Sequence, residues 1–572
     1  MRMILIGGLV AALQFSVAVA DNLTVKSYKF EPSSGKAVVA EMGELRVPEN
    51  RSIENGRTIL LRFVKFAGTG KKKGAPIVYL AGGPGGSGID AARGSRFELF
   101  MAMREFGDVI ALDQRGTGMS EPDLRCSEPY MIPLDEPTDR AKAGKTIGDS
   151  VRQCFERLSK QGIDLSAYNT RESAADLNDL RLALRAPKIT LWGISYGTHL
   201  ALAALKYHGE HIERVILAGV EPLHHTLKLP ADQEKMLQSI ATLAAKDADV
   251  HAVLPDLTGA IRELIEKLAK EPQSVTLTHP LNGQSVKVTV GAFDLQYALA
   301  EMLVGPDSFA SMADLIARLQ QGDWTALALQ AAQAKLGKAP NAMSVAMDCA
   351  SGASEPWLKQ IREQAQTTLL ADAINFPAPD ICSGLTDLGD EFRSPFDSPV
   401  PALLISGTLD GRTPPSNAEE VVKHMKNAAH LLIEGAGHSD PLFLSSPKIL
   451  DAMKAFMKGK PPGDLRIEVP VTPMIAPRHV ADLPQDTLAR YVGTYRINER
   501  ETRRVVKAGN LLYTLRGNSQ PLPVRPLSET EFFYEGFSGR LRFDLKEDGQ
   551  VKGMTVFQTD SGKGEFAPRI ED

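Results

Sequence analysis

Short continuous apolar runs recur along the first part of the chain, with helix-length stretches between them. Residues 76–81, 107–112, 188–194 and 214–218 are such runs. An apolar run of this length bounded by turn residues fits a strand buried on both faces. Residues 170–184 instead carry Leu177, Leu180 and Leu184 at helical spacing. This alternation predicts an α/β domain with a mostly parallel sheet. Ahead of it, apolar runs at 44–48 and 58–64 flank the turn signal Glu54-Asn55-Gly56 and predict short strands.

The alternation stops after Gly219. Residues 230–395 read as largely helical, with amphipathic stretches at 256–268 and 309–319. Between these, 275–278 and 286–290 flank Asn282-Gly283 like a small hairpin. This insertion is predicted to cover the site as a cap. The α/β pattern resumes at 401–411, followed by a helix at 416–425, a strand at 430–433 and a helix at 449–457. Pro461, Pro462, Pro470, Pro473 and Pro477 mark a linker over 461–485. Residues 486–572 hold short strand runs and the hairpin signal Asp548-Gly549, and read as a separate all-β module. The predicted organisation is thus a core in two parts, 21–229 and 396–460, a cap at 230–395, the linker and the β module.

The 572 residues are 43% hydrophobic and 24% charged, ordinary for a globular protein. A net charge of −5 gives no reason to expect nucleic acid or an anionic membrane as partner. Arg2, the apolar run 3–13 and Ala18-Val19-Ala20 have the form of a secretory signal peptide over 1–20. The mature protein is therefore expected in the periplasm or secreted. An even count of cysteines in an exported chain predicts disulfides. Three pairings are possible, and sequence order favours Cys126–Cys154 and Cys349–Cys382. The spacings match no zinc pattern, so no metal and no cofactor are predicted.

Gly193-Ile194-Ser195-Tyr196-Gly197 sits between a strand-length run and a helical Leu/Ala run. Strand, sharp turn and helix form the setting of a nucleophile elbow, with small residues two places either side of the serine. The loop Gly82-Gly83-Pro84-Gly85-Gly86-Ser87-Gly88 does not give the dinucleotide spacing, and Pro84 lacks an N–H for a phosphate nest. It reads better as an oxyanion loop, in which the N–H groups of Gly83 and Tyr196 face a reacting oxygen. Asp410 and His438 each follow a late strand and complete a Ser195…Asp410…His438 series. Asp440 and Asp397 compete for the acid role. His199 reads as a packing residue, Asp113 and Arg115 as a loop brace. His224-His225 are adjacent, and adjacent residues rarely point at one ion.

Gly82 to Gly86, Asp113-Gln114-Arg115-Gly116-Thr117-Gly118, the elbow, Asp410-Gly411-Arg412-Thr413-Pro414 and Gly437-His438 together resemble the prolyl and tripeptidyl aminopeptidase group of α/β-hydrolase serine peptidases. The resemblance spans roughly 41–457. It implies an α/β-hydrolase fold with a mostly helical cap insertion and a small C-terminal all-β domain. It further implies a serine exopeptidase acting on peptides with a free N-terminus, without a cofactor. Such enzymes place carboxylates against the substrate ammonium, and Glu221 and Glu301 are the candidates here. The chain departs from the group at Ala81, where many relatives have histidine, and at Ser351, where an acid is expected. A carboxylesterase with the same triad and a non-catalytic binding protein are the competing readings. The sequence leaves the oligomeric state open.

Overall fold

The computed structural model describes residues 22–570 except 34, 73, 462, 464, 500, 518, 537–538 and 558–563. The predicted signal peptide, 1–20, lies outside them. Ten strands of the described residues form one sheet: β1 (Leu23–Phe30), β2 (Val38–Pro48), β3 (Thr58–Phe66), β4 (Ile77–Leu80), β5 (Val109–Asp113), β6 (Ile189–Ile194), β7 (Ile212–Ala218), β8 (Ala402–Gly407), β9 (Ala428–Glu434) and β10 (Arg466–Glu468). Their order is β1-β2-β3-β5-β4-β6-β7-β8-β9-β10. The first three are antiparallel, and from β5 to β10 every pairing is parallel.

The middle strands β4, β5, β6 and β8 are buried along their whole length. Successive side chains point to opposite faces. Val78, Leu80 and Leu191 therefore join one core cluster, while Ile77, Tyr79 and Trp192 join the other. Helices cover both faces, which is why these strands read as continuous apolar runs rather than alternating ones. Because the parallel strands all run one way, their C-terminal ends bring the loops after β4, β6, β7, β8 and β9 to one edge.

The predicted loop brace is present. Arg115 is fully buried and donates to both carboxylate oxygens of Asp176 at 2.7 and 2.8 Å. Asp113 accepts from Ser87 Oγ, Ile89 N and Met119 N at 2.6, 3.1 and 2.7 Å.

The insertion does not behave as one unit. Its first part builds a separate apolar core, including Leu264, Val288, Leu299 and Leu327. The hairpin forms as read, Gln273–Thr278 against Ser285–Val290, with Gly283 at φ +70 in the turn. The helix Ala342–Ser351 instead packs Met343, Met347 and Cys349 into the main core. Two disulfides form, Cys126–Cys154 and Cys349–Cys382, the pairing that sequence order favours.

The linker is not a free connector. Arg466–Glu468 pairs in parallel with β9 and extends the sheet, with Ile467 buried at 3% exposure. Further on, Ile475 N donates to Ala310 O at 2.8 Å, and Arg478 pairs with Asp314 at 2.7 Å. The prolines limit ladder pairing but leave apolar side chains to dock. The β module closes into a barrel of eight described strands, from Gly493–Arg496 to Glu565–Ile570, and those two strands pair to complete it. It is fixed to the cap: Arg318 makes a fork to Glu535 with both contacts at 2.9 Å, and both side chains are about 5% exposed or less.

The disulfides close loops of 28 and 33 residues. In the chain-entropy account each contributes about 3–4 kcal/mol by restricting the unfolded chain. Reduction, or paired Cys→Ser exchange, is expected to lower stability by that amount per bridge in a denaturant titration. Identical midpoints with and without reductant would refute it.

Candidate active site

Ser195 stands between β6 and the helix α1 (Tyr196–His208), with φ +53 and ψ −129. A residue other than glycine rarely holds a positive φ, so the surroundings must enforce it. Strand and helix leave no room for larger neighbours. A Cβ on Gly197 would lie 2.1 Å from the Leu80 carbonyl oxygen, and one on Gly193 would lie 2.5 Å from the Gly197 oxygen. A Cβ on Gly82 would lie 2.9 Å from Ser195 Cβ, so the glycine loop passes directly over the serine. Ser195 N donates to Ala218 O at 3.0 Å, tying the turn to β7.

Asp410 follows β8 and is fully buried. Its Oδ1 accepts from the amides of Arg412 and Thr413 at 2.9 and 2.8 Å. Its Oδ2 meets Thr413 Oγ1 at 2.7 Å and His438 Nδ1 at 2.8 Å. These contacts fix the carboxylate, and the carboxylate fixes the imidazole. The backbone N–H of His438 donates to Val304 O at 2.8 Å, so the cap also holds the histidine loop. The rival acids are engaged elsewhere. Asp440 is bound by Arg96 and Ser95, and Asp397 pairs with His424.

Ser195, His438, Gly82, Gly83 and Glu221 line one cavity of about 550 Å³. Gly83 has φ +124 there, a conformation open to glycine. Tyr196 is the first residue of α1, where N–H groups have no partner within the helix. Gly83 thus lines the cavity, and Tyr196 directly follows the serine at the helix start.

Glu221 is 6% exposed and reaches this cavity. Its carboxylate is bound by Lys228 Nζ at 2.7 Å. Glu301 does not line it. Glu301 pairs with Arg412 at 2.9 Å and borders a neighbouring cavity of about 740 Å³, walled by Phe293, Tyr297 and Phe376. Its helix, Ala292–Met302, turns that side chain to Arg412 and the neighbouring cavity, a direction that sequence spacing did not give.

Sequence reasoning missed Lys228 and Asp348. Helix Ala342–Ser351 places Ser344, Asp348 and Ser351 on one face at spacings of four and three. Ser344 Oγ donates to Pro84 O in the glycine loop at 2.7 Å, and Ser351 Oγ meets His199 Nε2 at 3.0 Å. Asp348 between them couples to Glu221 and Lys228. Burial, and then the Glu221 charge, pushes its carboxyl well above the ordinary carboxylate range. Ser351 stands where an acid was expected, and an acid, Asp348, lies one turn earlier on the same helix face.

His199 is a buried packing residue, as read. Its ring stacks on Tyr196 at 5.7 Å and lies 3.9 Å from Glu221. The adjacent pair His224-His225 does not diverge as expected. Both Nε2 atoms approach the carboxylate of Glu420, at 3.0 and 3.1 Å.

A family model described as the alpha/beta hydrolase fold matches residues 75–443. The chain belongs to the alpha/beta hydrolase fold family. Within it, the chain is 29% identical over 228 residues to a serine protease, Hip1, of Mycobacterium tuberculosis H37Rv, covering 37% of this chain and 42% of that protein. It is 28% identical over 193 residues to a tripeptidyl aminopeptidase of Streptomyces coelicolor, covering 32% and 35%. A proline iminopeptidase of Arabidopsis thaliana is 25% identical over 196 residues, covering 34% and 40%. The chain thus spans about two fifths of the length of these three relatives. The resemblance to an α/β-hydrolase peptidase group holds.

Burial lowers the imidazole of His199 from 6.5 to about 4. The unfolded chain therefore binds a proton that the native state refuses. The His199 contribution is complete above pH 6.5 and is lost as pH falls toward 4, by an amount on the order of 3 kcal/mol. Equilibrium unfolding at pH 7 and pH 4.5 should show this loss, and His199→Asn should reduce its pH dependence. An unchanged slope in that variant would refute the assignment.

Proposed function

We propose that the chain is an exported serine exopeptidase that hydrolyses peptides from a free N-terminus. The observation that carries this reading is the 2.8 Å His438–Asp410 contact in a cavity shared with the strained Ser195. His438 takes the Ser195 hydroxyl proton as Oγ attacks the scissile carbonyl. Asp410 stabilises the imidazolium. The amides of Gly83 and Tyr196 hold the tetrahedral oxyanion, about 3–4 kcal/mol for each such donor. His438 then protonates the leaving amine, an acyl-enzyme remains on Oγ, and water activated by His438 hydrolyses it.

The acidic cluster supports the exopeptidase form. Glu221 lines the cavity and holds Lys228, and the neighbouring Asp348 carboxyl, raised by burial and by the Glu221 charge, is the acid that a substrate ammonium would ionise. An ammonium brought beside the desolvated carboxyl favours its ionised form, so binding and ionisation assist each other. The two disulfides support export to an oxidising compartment, periplasmic or extracellular. None of the helices among the described residues is long and apolar enough to cross a membrane.

One observation favours a second reading. Lys228 occupies the Glu221 carboxylate as a substrate ammonium would, which suits a carboxylesterase that needs no N-terminal recognition. Both readings require the triad. Ser195→Ala should lose on the order of 10⁴–10⁶ in kcat with its thermal transition intact. A variant retaining wild-type rates would remove the elbow from the mechanism.

Substrates separate the two readings. N-acetylation of a peptide should cut kcat/KM by at least ~100-fold in the exopeptidase. Asp348→Asn should cost a similar factor on free peptides and little on simple esters. For free peptides kcat/KM should rise with pH as Asp348 ionises, below the amine's own pKa of about 8. Ester turnover provides the control profile. Equal cleavage of acetylated and free peptides would leave the esterase.

A further inference from the structure

Three residues beyond Glu221, the chain presents His224 and His225 to Glu420, on the helix α2 (Pro415–Val422) that follows the Asp410 loop. The three donor atoms lie within 4.8 Å of one another. We propose that His224, His225 and Glu420 form a binding site for a zinc-type divalent cation, with solvent completing its coordination.

The spacing suits such an ion. Zinc bonds to nitrogen and oxygen of about 2.0–2.1 Å at tetrahedral angles put donors about 3.3 Å apart. The two nitrogen-to-carboxylate separations are 3.0 and 3.1 Å. Each imidazole meets its own Glu420 oxygen, so an ion bound through both oxygens can enter with shifts of a few tenths of an ångström at these two edges. The imidazole rings meet at 82° with centroids 4.3 Å apart, which lets two neighbouring residues aim at one point. Trp357 holds them from one side, its ring 4.5 Å from His225 and 5.1 Å from His224. Trp357 is itself fixed by donating to Leu227 O at 2.9 Å.

The donor chemistry selects the class of ion. Two imidazoles and one carboxylate suit zinc, whereas magnesium and calcium prefer oxygen. Lys228 is the nearby cation, and Glu221 neutralises it. A void of about 40 Å³ borders His224 and Glu420, enough for a coordinated water. All four cysteines are in disulfides and so do not compete for the ion.

The ion would act as a staple rather than in the reaction. It would join the loop after Glu221 to the helix after Asp410, beside the existing contact from Asn417 Nδ2 to Val220 O at 3.1 Å. The full chain, stripped with chelator, should take up one equivalent of zinc with a Kd of about 1 µM or tighter by calorimetry, and magnesium should give no heat. The zinc X-ray absorption spectrum should show nitrogen and oxygen neighbours at about 2.0–2.1 Å, scattering from two imidazoles, and no sulfur. Glu420→Gln and His225→Ala should each weaken binding at least ~10-fold. Failure of the wild-type chain to take up zinc, a spectrum with fewer than two imidazoles, or unchanged affinity in both variants would overturn the proposal. The spectrum needs only the wild-type chain, so the test stands even where a variant does not fold. None of these readouts depends on peptidase or esterase activity.

Discussion

Close approach of backbone at Ser195 is the constraint on which the site depends. Strand β6, helix α1 and the glycine loop meet where no side chain larger than hydrogen fits at 82, 193 or 197. The serine itself holds φ +53, a conformation that costs on the order of 1–3 kcal/mol. The buried sheet on either side makes that cost tolerable, because relaxing the turn would pull apart β6, β4 and α1. The strain keeps Oγ at the cavity wall while the amide of Tyr196 stays free of the helix ladder.

Around that turn, charge is balanced internally. Lys228 answers Glu221, Arg412 answers Glu301, Arg96 answers Asp440, and Asp410 is saturated by two amides, a hydroxyl and His438. A ligand charge entering the cavity must displace one of these partners or stay unpaired. Burying an unpaired charge is costly, so the cavity discriminates by what it leaves unpaired as much as by what it contacts.

The outer parts hold the inner ones in register. Leu303 and Val304 of the cap accept from Gly411 and His438, the loops that carry the acid and the base. The barrel grips the same cap through Arg318 and Glu535, a buried pair in which loss of either partner leaves an uncompensated charge. The strand Arg466–Glu468 stitches the intervening segment to the sheet edge. The C-terminal module is thus attached to the element that covers the site rather than hung on a free tether.

Local pattern determined the strands and the elbow, and chain order placed the candidate acid and base and favoured the disulfide pairing. Each depends on neighbours in sequence or on chain order: apolar runs make buried strands, small residues permit the turn, and parallel strands deliver successive loops to one edge. Direction and partner choice across the fold did not follow from pattern. Glu301 and Glu221 looked alike in sequence, yet the helix at 292–302 turns one toward Arg412 and a second cavity. Asp348 stood within a helical run, and its meaning came only when that helix packed against the glycine loop and His199. The proline-marked segment looked free because three sheet-pairing residues carry too weak a signal without the strand they extend. His224 and His225 were set aside on local geometry, and the helix bearing Glu420, nearly two hundred residues away, brought both to one carboxylate. What a side chain can reach is decided by packing between distant segments, and that is information that periodicity does not contain.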